Sequence, residues 1–137
     1  MTNHEILLGH LRVAEQFRSL PYVDCCSLHP FKCVCKVKGK TTIGYGTNLD
    51  DGISHAEADL LLEGRLKGKQ DELLVRLPWV AQLDEVRRCS LFEMAYNMGV
   101  GGLIANNPNA LAAMKSGDWA EAKRQLLGDE WEQQVGG

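Results

Sequence analysis

Apolar residues recur at a spacing of three or four in the first part of the chain, which predicts one apolar face of a helix. They are Ile6, Leu7, Leu11, Ala14 and Phe17. Thr2 and Glu5 have the spacing of a capping box, so the helix should begin directly after Thr2. Pro21 should end it, because the residue before a proline disfavours helical backbone. Glu15 is therefore expected near the C-terminal end of this helix.

Residues 33–45 are predicted to form a β-hairpin, because Val37 and Ile43 are β-branched, Gly39 supplies a turn, and Thr41, Ile43 and Tyr45 alternate. Gly44 and Gly46 leave one face of its second strand nearly bare. A bare face suits the close approach of a sugar ring, and it equally suits a kinked edge strand.

A second capping box, formed by Ser54 and Glu57, predicts a helix over about 54–77 that stops before Pro78. Its centre, residues 64–71, is polar on all sides and contains two glycines. A helix that is exposed all round at its centre is typical of a bridge between two lobes.

The next helix is predicted to begin after the cap residue Asp84 and to end at Gly99, as a core helix. Its apolar stripe consists of Val86, Cys89, Phe92, Ala95 and Met98. We interpret Cys89 as a small buried hydrophobic residue. Further helices are predicted within 108–117 and from Asp118 onward. Helices together with a hairpin predict the α+β class.

Length and charge narrow the class of protein. With 137 residues and 45% hydrophobic content, the chain suits a single domain that buries about two-thirds of its unfolded surface. The net charge of −3 gives no basic footprint for nucleic acid. No apolar run is long enough to span a bilayer, and no secretory signal is visible. We therefore expect neither a nucleic-acid partner nor stable membrane insertion.

Three residues, Glu15, Asp24 and Thr42, carry the candidate chemistry. Hydrolysis of a glycosidic bond requires one carboxylic acid that protonates the leaving oxygen and a second carboxylate that acts on the opposite face. A Glu and an Asp at this spacing are weak evidence alone in a chain with 18 acidic residues. The ordinary alternatives are a solvated helix Glu, a turn Asp and a strand Thr.

Several motifs in a fixed order make the assignment more specific. They are Leu11-Arg12-x-x-Glu15, Tyr22-x-Asp24, Thr42-Ile43-Gly44-Tyr45-Gly46, Leu83-Asp84-Glu85-Val86-Arg87-Arg88-Cys89, Asn97-Met98-Gly99 and Asp118-Trp119-Ala120-Glu121-Ala122. In this order the chain resembles the phage-type endolysins related to T-even phage lysozyme, glycoside hydrolase family 24.

The resemblance implies a lysozyme-like α+β fold over residues 1–137 as one domain. A small β-hairpin lobe (about 18–52), a bridging helix (about 54–77) and a helical lobe (about 79–137, with the N-terminal helix) would enclose a cleft. It also implies hydrolysis of the β-1,4 bond between N-acetylmuramic acid and N-acetylglucosamine in peptidoglycan, with inversion, for phage-driven host lysis. Synthesis in the host cytoplasm would precede action on the periplasmic wall after release.

The resemblance also assigns roles. Glu15 would be the general acid, which requires partial burial so that it is protonated near neutral pH. Asp24 would be the base or electrostatic partner, and Thr42 would orient the attacking water. The family positions that line the sugar cleft correspond to Asn48, Tyr96 and Gln125. For Tyr96 a place in the core is an equal alternative. No cofactor is implied for catalysis.

Four cysteines lie in an insert that is longer than the family's segment between Asp24 and Thr42. They are Cys25, Cys26, Cys33 and Cys35. Four thiols can hold a structural zinc, but their spacing is not the usual one. A reducing cytosol disfavours disulfides during synthesis. Free structural thiols, a zinc site and disulfides therefore all stay open.

The sequence also departs from the family at its end. It stops at Gly136-Gly137, before the family's last helix. We expect this to leave an exposed apolar patch on the helices over 86–98 and 118–127, which predicts a homodimer or a marginally stable monomer. A rival function, a non-catalytic wall-binding or structural derivative of the lysozyme fold, is favoured by the missing helix. The presence of Glu15, Asp24 and Thr42 favours the enzyme.

Overall fold

The computed structural model describes residues 1–24 and 39–134, and it describes Asp24 and residues 129–134 through their backbone alone. Six α-helices, one 3₁₀ helix and a three-stranded antiparallel sheet make up these ranges. The predicted α+β class is confirmed. The elements are α1 Asn3–Glu15, β1 Arg18–Asp24, β2 Lys40–Gly44, β3 Thr47–Asn48, α2 His55–Arg76, the 3₁₀ helix Pro78–Gln82, α3 Glu85–Met98, α4 Val100–Asn106, α5 Pro108–Ser116 and α6 Trp119–Gln134.

The chain divides into two compact units, Met1–Ala58 and Asp59–Gly137. The first contains α1 and the sheet, whereas the sequence grouped the N-terminal helix with the helical lobe. The second contains nearly all of α2 and every later helix. A single domain over residues 1–137 stays a prediction.

The helix α1 begins with the predicted capping box. The backbone N–H of Thr2 donates to the Glu5 carboxylate at 2.6 Å, and the Glu5 N–H donates to the Thr2 hydroxyl at 3.2 Å. Hydrogen bonds to the Glu5 carboxylate from the Thr2 backbone N–H and then from the Thr2 hydroxyl hold the pKa of Glu5 below its ordinary value. The helix ends at Glu15, where Gln16 follows with a positive φ of 55°. The prediction that Pro21 ends it was wrong, because Phe17 already lies beyond the helix and Pro21 lies within β1.

Two strands flank β2, which is the centre of the sheet. In the register, Thr42 pairs with Tyr22 of β1 on one side and with Asn48 of β3 on the other. The sequence predicted β2 as the second strand of a hairpin, and the first strand of that hairpin falls mainly in 25–38, outside the described residues. The partner seen in the structure, β1, was not predicted. Pro21 lies where the β1–β2 register shifts, between Arg18 and Tyr22, and β1 is at the edge of the sheet as far as the described strands go; both positions tolerate a proline.

The second capping box is also confirmed. The Ser54 N–H donates to the Glu57 carboxylate at 2.6 Å, and the Glu57 N–H donates to the Ser54 hydroxyl at 3.2 Å. The Ser54 backbone bond holds the pKa of Glu57 below its ordinary value. The helix α2 ends at Arg76, before Pro78, and its predicted polar centre over 64–71 is mostly exposed.

The core of the second unit is formed by the end of α2, the 3₁₀ helix, α3, α4, α5 and the start of α6. Its largest fully buried side chains are Leu73, Leu91, Leu103, Val80 and Val100. Each contributes about 1.5–3 kcal/mol relative to an exposed side chain. Within the described ranges, every buried side-chain nitrogen and oxygen has a hydrogen-bond partner.

The buried face of α3 differs from the predicted stripe. Its buried residues are Leu91, Phe92 and Ala95. Val86 is 75% exposed and Met98 44% exposed. A step of three residues turns about 300° around the axis, so positions spaced by threes drift off a single face. The prediction that Cys89 is buried was also wrong, since this residue is an exposed free cysteine. The same drift around the helix axis places it off the buried face.

Local start and stop signals of the later helices are confirmed. Asp84 accepts from the Arg87 N–H at 3.2 Å, α5 starts at Pro108, and Gly117 ends it in a left-handed conformation. The helix α4 was not predicted, and α6 contains a non-helical residue at Gly128. No helix in the described ranges is both long and apolar enough to cross a bilayer.

Candidate active site

Glu15 lies at the last position of α1, and its carboxylate lies against the tight turn between β2 and β3. A Cβ atom placed on Gly46 would lie 2.7 Å from Glu15 Oε2 and 3.3 Å from Glu15 Cδ. The carboxylate therefore fills the space that a side chain at position 46 would take. The partial burial predicted for a general acid is not found, because Glu15 is exposed and its carboxylate is open to a ligand within its own unit.

Among the described residues, Thr42 is a polar residue that is buried, with 4% of its surface exposed. Its hydroxyl donates to the Lys40 carbonyl at 3.0 Å. A hydroxyl that has given its proton to a carbonyl keeps lone pairs that can accept a hydrogen bond from water. The geometry is thus compatible with orienting one water, as well as with an ordinary strand threonine.

Asp24 ends β1 and pairs in the register with Lys40, two residues along β2 from Thr42. Two residues of a strand span about 7 Å. The pairing of β1 with β2 therefore brings Asp24 close to Thr42 in the sheet, although they are distant along the chain.

Asn48 belongs to a network that closes the end of the sheet. Its amide nitrogen donates to the Asp51 carboxylate at 2.8 Å, and its amide oxygen accepts from the Asp50 N–H at 3.0 Å. Asp50 in turn accepts from the Thr41 N–H at 3.1 Å. Both ends of the Asn48 amide already have protein partners, so a sugar would have to share or replace them.

An aromatic pair that the sequence analysis missed flanks Glu15. The rings of Phe17 and Tyr45 lie 5.5 Å apart between centroids and are tilted by 49°. Both are substantially exposed, at 63% and 46%. The sequence analysis assigned Phe17 to the apolar face of the helix and Tyr45 to the alternation of a strand. Neither pattern indicated that the two rings would meet.

Tyr96 and Gln125 belong to the second unit. Tyr96 is 39% exposed, which removes it from the core. The Gln125 amide donates to Glu121 Oε1 at 2.7 Å, and Arg124 donates to both Glu121 oxygens at 2.8 and 2.7 Å. Hydrogen bonds from Arg124 and then Gln125 lower the pKa of Glu121 to about 2.

An apolar groove of about 320 Å³ opens on the second unit among α3, α5 and α6. It lies where the sequence predicted an apolar patch. At one end the Arg87 guanidinium stacks 3.9 Å from the Trp119 ring centroid and pairs with Asp84 at 3.2 Å. The lining residues are Arg87, Ser90, Leu91, Met94, Met114, Trp119, Ala122, Lys123, Leu126 and Leu127.

The four clustered cysteines, Cys25, Cys26, Cys33 and Cys35, lie outside the described residues. Over 1–24 and 39–134, no group of three or more His, Cys, Asp or Glu side chains is arranged to hold a metal ion. The choice among free thiols, a zinc site and disulfides therefore stays open.

Comparison with known families gives one match. The sequence profile of the phage lysozyme family matches residues 22–137. A search for similar curated proteins finds no match. The matched range begins after Glu15 and includes the other residues assigned to the site. Contact of the Glu15 carboxylate with Gly46 links the helix before that range to a turn within it.

Proposed function

The chain belongs to the phage lysozyme family, and from this premise we propose that it cleaves the β-1,4 bond between N-acetylmuramic acid and N-acetylglucosamine. Membership implies a glycoside hydrolase with peptidoglycan as its substrate. The observation that carries the finer proposal is the Glu15 carboxylate, which is exposed yet lies against Gly46 in the turn between β2 and β3.

In the proposed mechanism, Glu15 protonates the oxygen of the leaving sugar. Asp24 accepts a proton from a water that attacks the anomeric carbon on the opposite face. Thr42 accepts a hydrogen bond from that water, since its own proton is given to the Lys40 carbonyl.

These groups supply every proton transfer, so we propose that catalysis requires no cofactor. A structural zinc at the cysteine cluster would act on stability, since ligand binding to the folded form adds folding free energy. Metal analysis of protein purified without chelator or a histidine tag, with titration of the thiols, distinguishes zinc, disulfides and free thiols.

We propose that the enzyme is made in the host cytoplasm and reaches the wall from the periplasmic side after the membrane is breached. Its role would be host lysis at the end of phage growth. Neither nucleic acid nor stable insertion into a membrane enters this proposal.

Loss of turbidity of permeabilised Gram-negative cells tests the function. We expect the native chain to clear the suspension and Glu15→Gln to lose roughly a hundredfold or more, because an amide keeps the shape but cannot donate the proton. Glu63→Gln, an exposed carboxyl on α2, is the matched control and should keep full activity.

Two outcomes would contradict the proposal. Lysis by Glu15→Gln at the native rate would remove Glu15 from the mechanism. A folded native chain that binds peptidoglycan without clearing the cells would support the rival, a non-catalytic derivative of the lysozyme fold.

A further inference from the structure

Two successive contacts join the end of α1 to the turn after β2. The Glu15 carboxylate lies against Gly46, and the Phe17 ring lies against Tyr45. Gln16, between Glu15 and Phe17, has φ 55° and ψ 133°. In the described ranges, the other residues with a positive φ are all glycines. Such a conformation persists where neighbouring contacts hold the residue on both sides.

From this arrangement we infer that Gly46 is a positioning residue for the acid Glu15, because the absence of a side chain at 46 creates the space in which the carboxylate lies. The Phe17–Tyr45 pair then fixes the chain on the other side of Gln16. The inference rests on the proposed function only in taking Glu15 as the general acid.

A methyl group on Gly46 would meet Glu15 Oε2 at 2.7 Å, closer than two such atoms can lie. The fold can relieve this contact easily, because the atom that must move is at the far end of a flexible side chain. The reaction cannot, because the displaced carboxyl group is the proposed proton donor. A shift of about 1 Å in a reacting group can cost on the order of a hundredfold in rate.

Gly44 provides a matched control in the same turn region. Its φ is 68°, against 78° for Gly46, so an alanine at either position experiences the same kind of backbone strain. A Cβ atom on Gly44 would meet nothing within 4 Å, whereas one on Gly46 meets Glu15. The two alanine variants therefore separate the loss of stability from the displacement of the acid.

The experiment measures kcat and KM on soluble peptidoglycan fragments, together with thermal melting, for Gly46→Ala and Gly44→Ala. We expect both variants to melt at lower temperature than the native protein, by similar amounts. Gly46→Ala should lose on the order of a hundredfold in kcat with little change in KM. Gly44→Ala should keep its kcat.

A double variant adds a readout that lost stability would not produce. In Glu15→Asp the side chain is one carbon shorter, so the carboxylate no longer reaches the space beside position 46. We expect Gly46→Ala to lower kcat much less in the Glu15→Asp background than in the native one. Non-additivity of this kind is the signature of two residues in direct contact.

Three results would overturn the inference. The first is an equal kcat for Gly44→Ala and Gly46→Ala, and the second is the same loss of kcat from Gly46→Ala in the native and Glu15→Asp backgrounds.

If Gly46→Ala does not fold, Phe17→Leu takes its place, with Leu20→Ala as a control at an exposed residue of β1. Phe17→Leu should lower kcat and Leu20→Ala should not, and an equal effect is the third contrary result. Native activity in Glu15→Gln would instead contradict the proposed function itself.

Discussion

Asp24 is the residue on which the stereochemistry of the proposed reaction depends. If it activates water, attack comes from the face opposite the leaving sugar and the configuration is inverted. Inverting enzymes hold their two carboxyl groups roughly 6.5–9.5 Å apart, against about 5–5.5 Å in retaining ones. We expect the first-formed product to be the α anomer, measured by NMR before mutarotation. A β anomer formed first would mean that Asp24 or another group acts as a nucleophile.

Glu121 should make stability depend on pH. Its pKa is lowered to about 2 by hydrogen bonds from Arg124 and Gln125. A lowered pKa means that the bonds stabilise the fold fully above the unfolded pKa of about 4.3, and that this stabilisation is lost as the pH falls towards about 2. We expect the difference in stability between the native chain and Glu121→Gln to shrink over this range.

Urea unfolding at several pH values between 7 and 2 measures this difference. Glu93→Gln is the control, since Glu93 is exposed on α3 and makes no ion pair within the described part of the chain. The effect should be modest, because the Arg124–Glu121 pair is partly exposed to water. A pH-independent difference between Glu121→Gln and the native chain would show that these bonds do not perturb Glu121.

At the scale of elements, the cap of α3 is the most informative local contact. Asp84 accepts from the Arg87 N–H at 3.2 Å and pairs with the Arg87 guanidinium at 3.2 Å. We expect Asp84→Ala to lower the free energy of unfolding by about 1 kcal/mol, since an N–H at the helix start loses its acceptor. Urea unfolding measures the loss.

The control for the cap is Glu63→Ala, an exposed residue inside α2. Its free energy of unfolding should stay within about 0.5 kcal/mol of the native value. An equal loss in the two variants would mean that the Asp84 bonds contribute nothing beyond those of a surface carboxylate.

At the scale of the whole molecule, the predicted homodimer concerns the apolar groove among α3, α5 and α6. Apolar surface of this kind tends to be buried by association. We expect Leu126→Lys, within the groove, to shift the protein towards monomer in sedimentation velocity. Val75→Lys, on an exposed part of α2 outside the groove, should leave the association unchanged. A native protein that sediments as a clean monomer would contradict the prediction.

The starts of α1, α2, α3 and α5, and the end of α2 before Pro78, followed from the sequence because their signals are local. A capping box joins residues three apart, as in Thr2 with Glu5, and a proline acts on the residue before it. Motif order also identified the family and nominated Glu15, Asp24 and Thr42, because a motif is itself a feature of the sequence. None of these inferences required knowing which elements pack against each other.

Only the tertiary structure decided features that join distant residues. The strand β1 exists because β2 supplies its hydrogen-bond partners, and the buried face of α3 depends on which helices pack against it. The contact of Glu15 with Gly46 and that of Phe17 with Tyr45 belong to the same class. A glycine in a strand motif shows that space is available, but which side chain fills that space depends on where the rest of the chain folds.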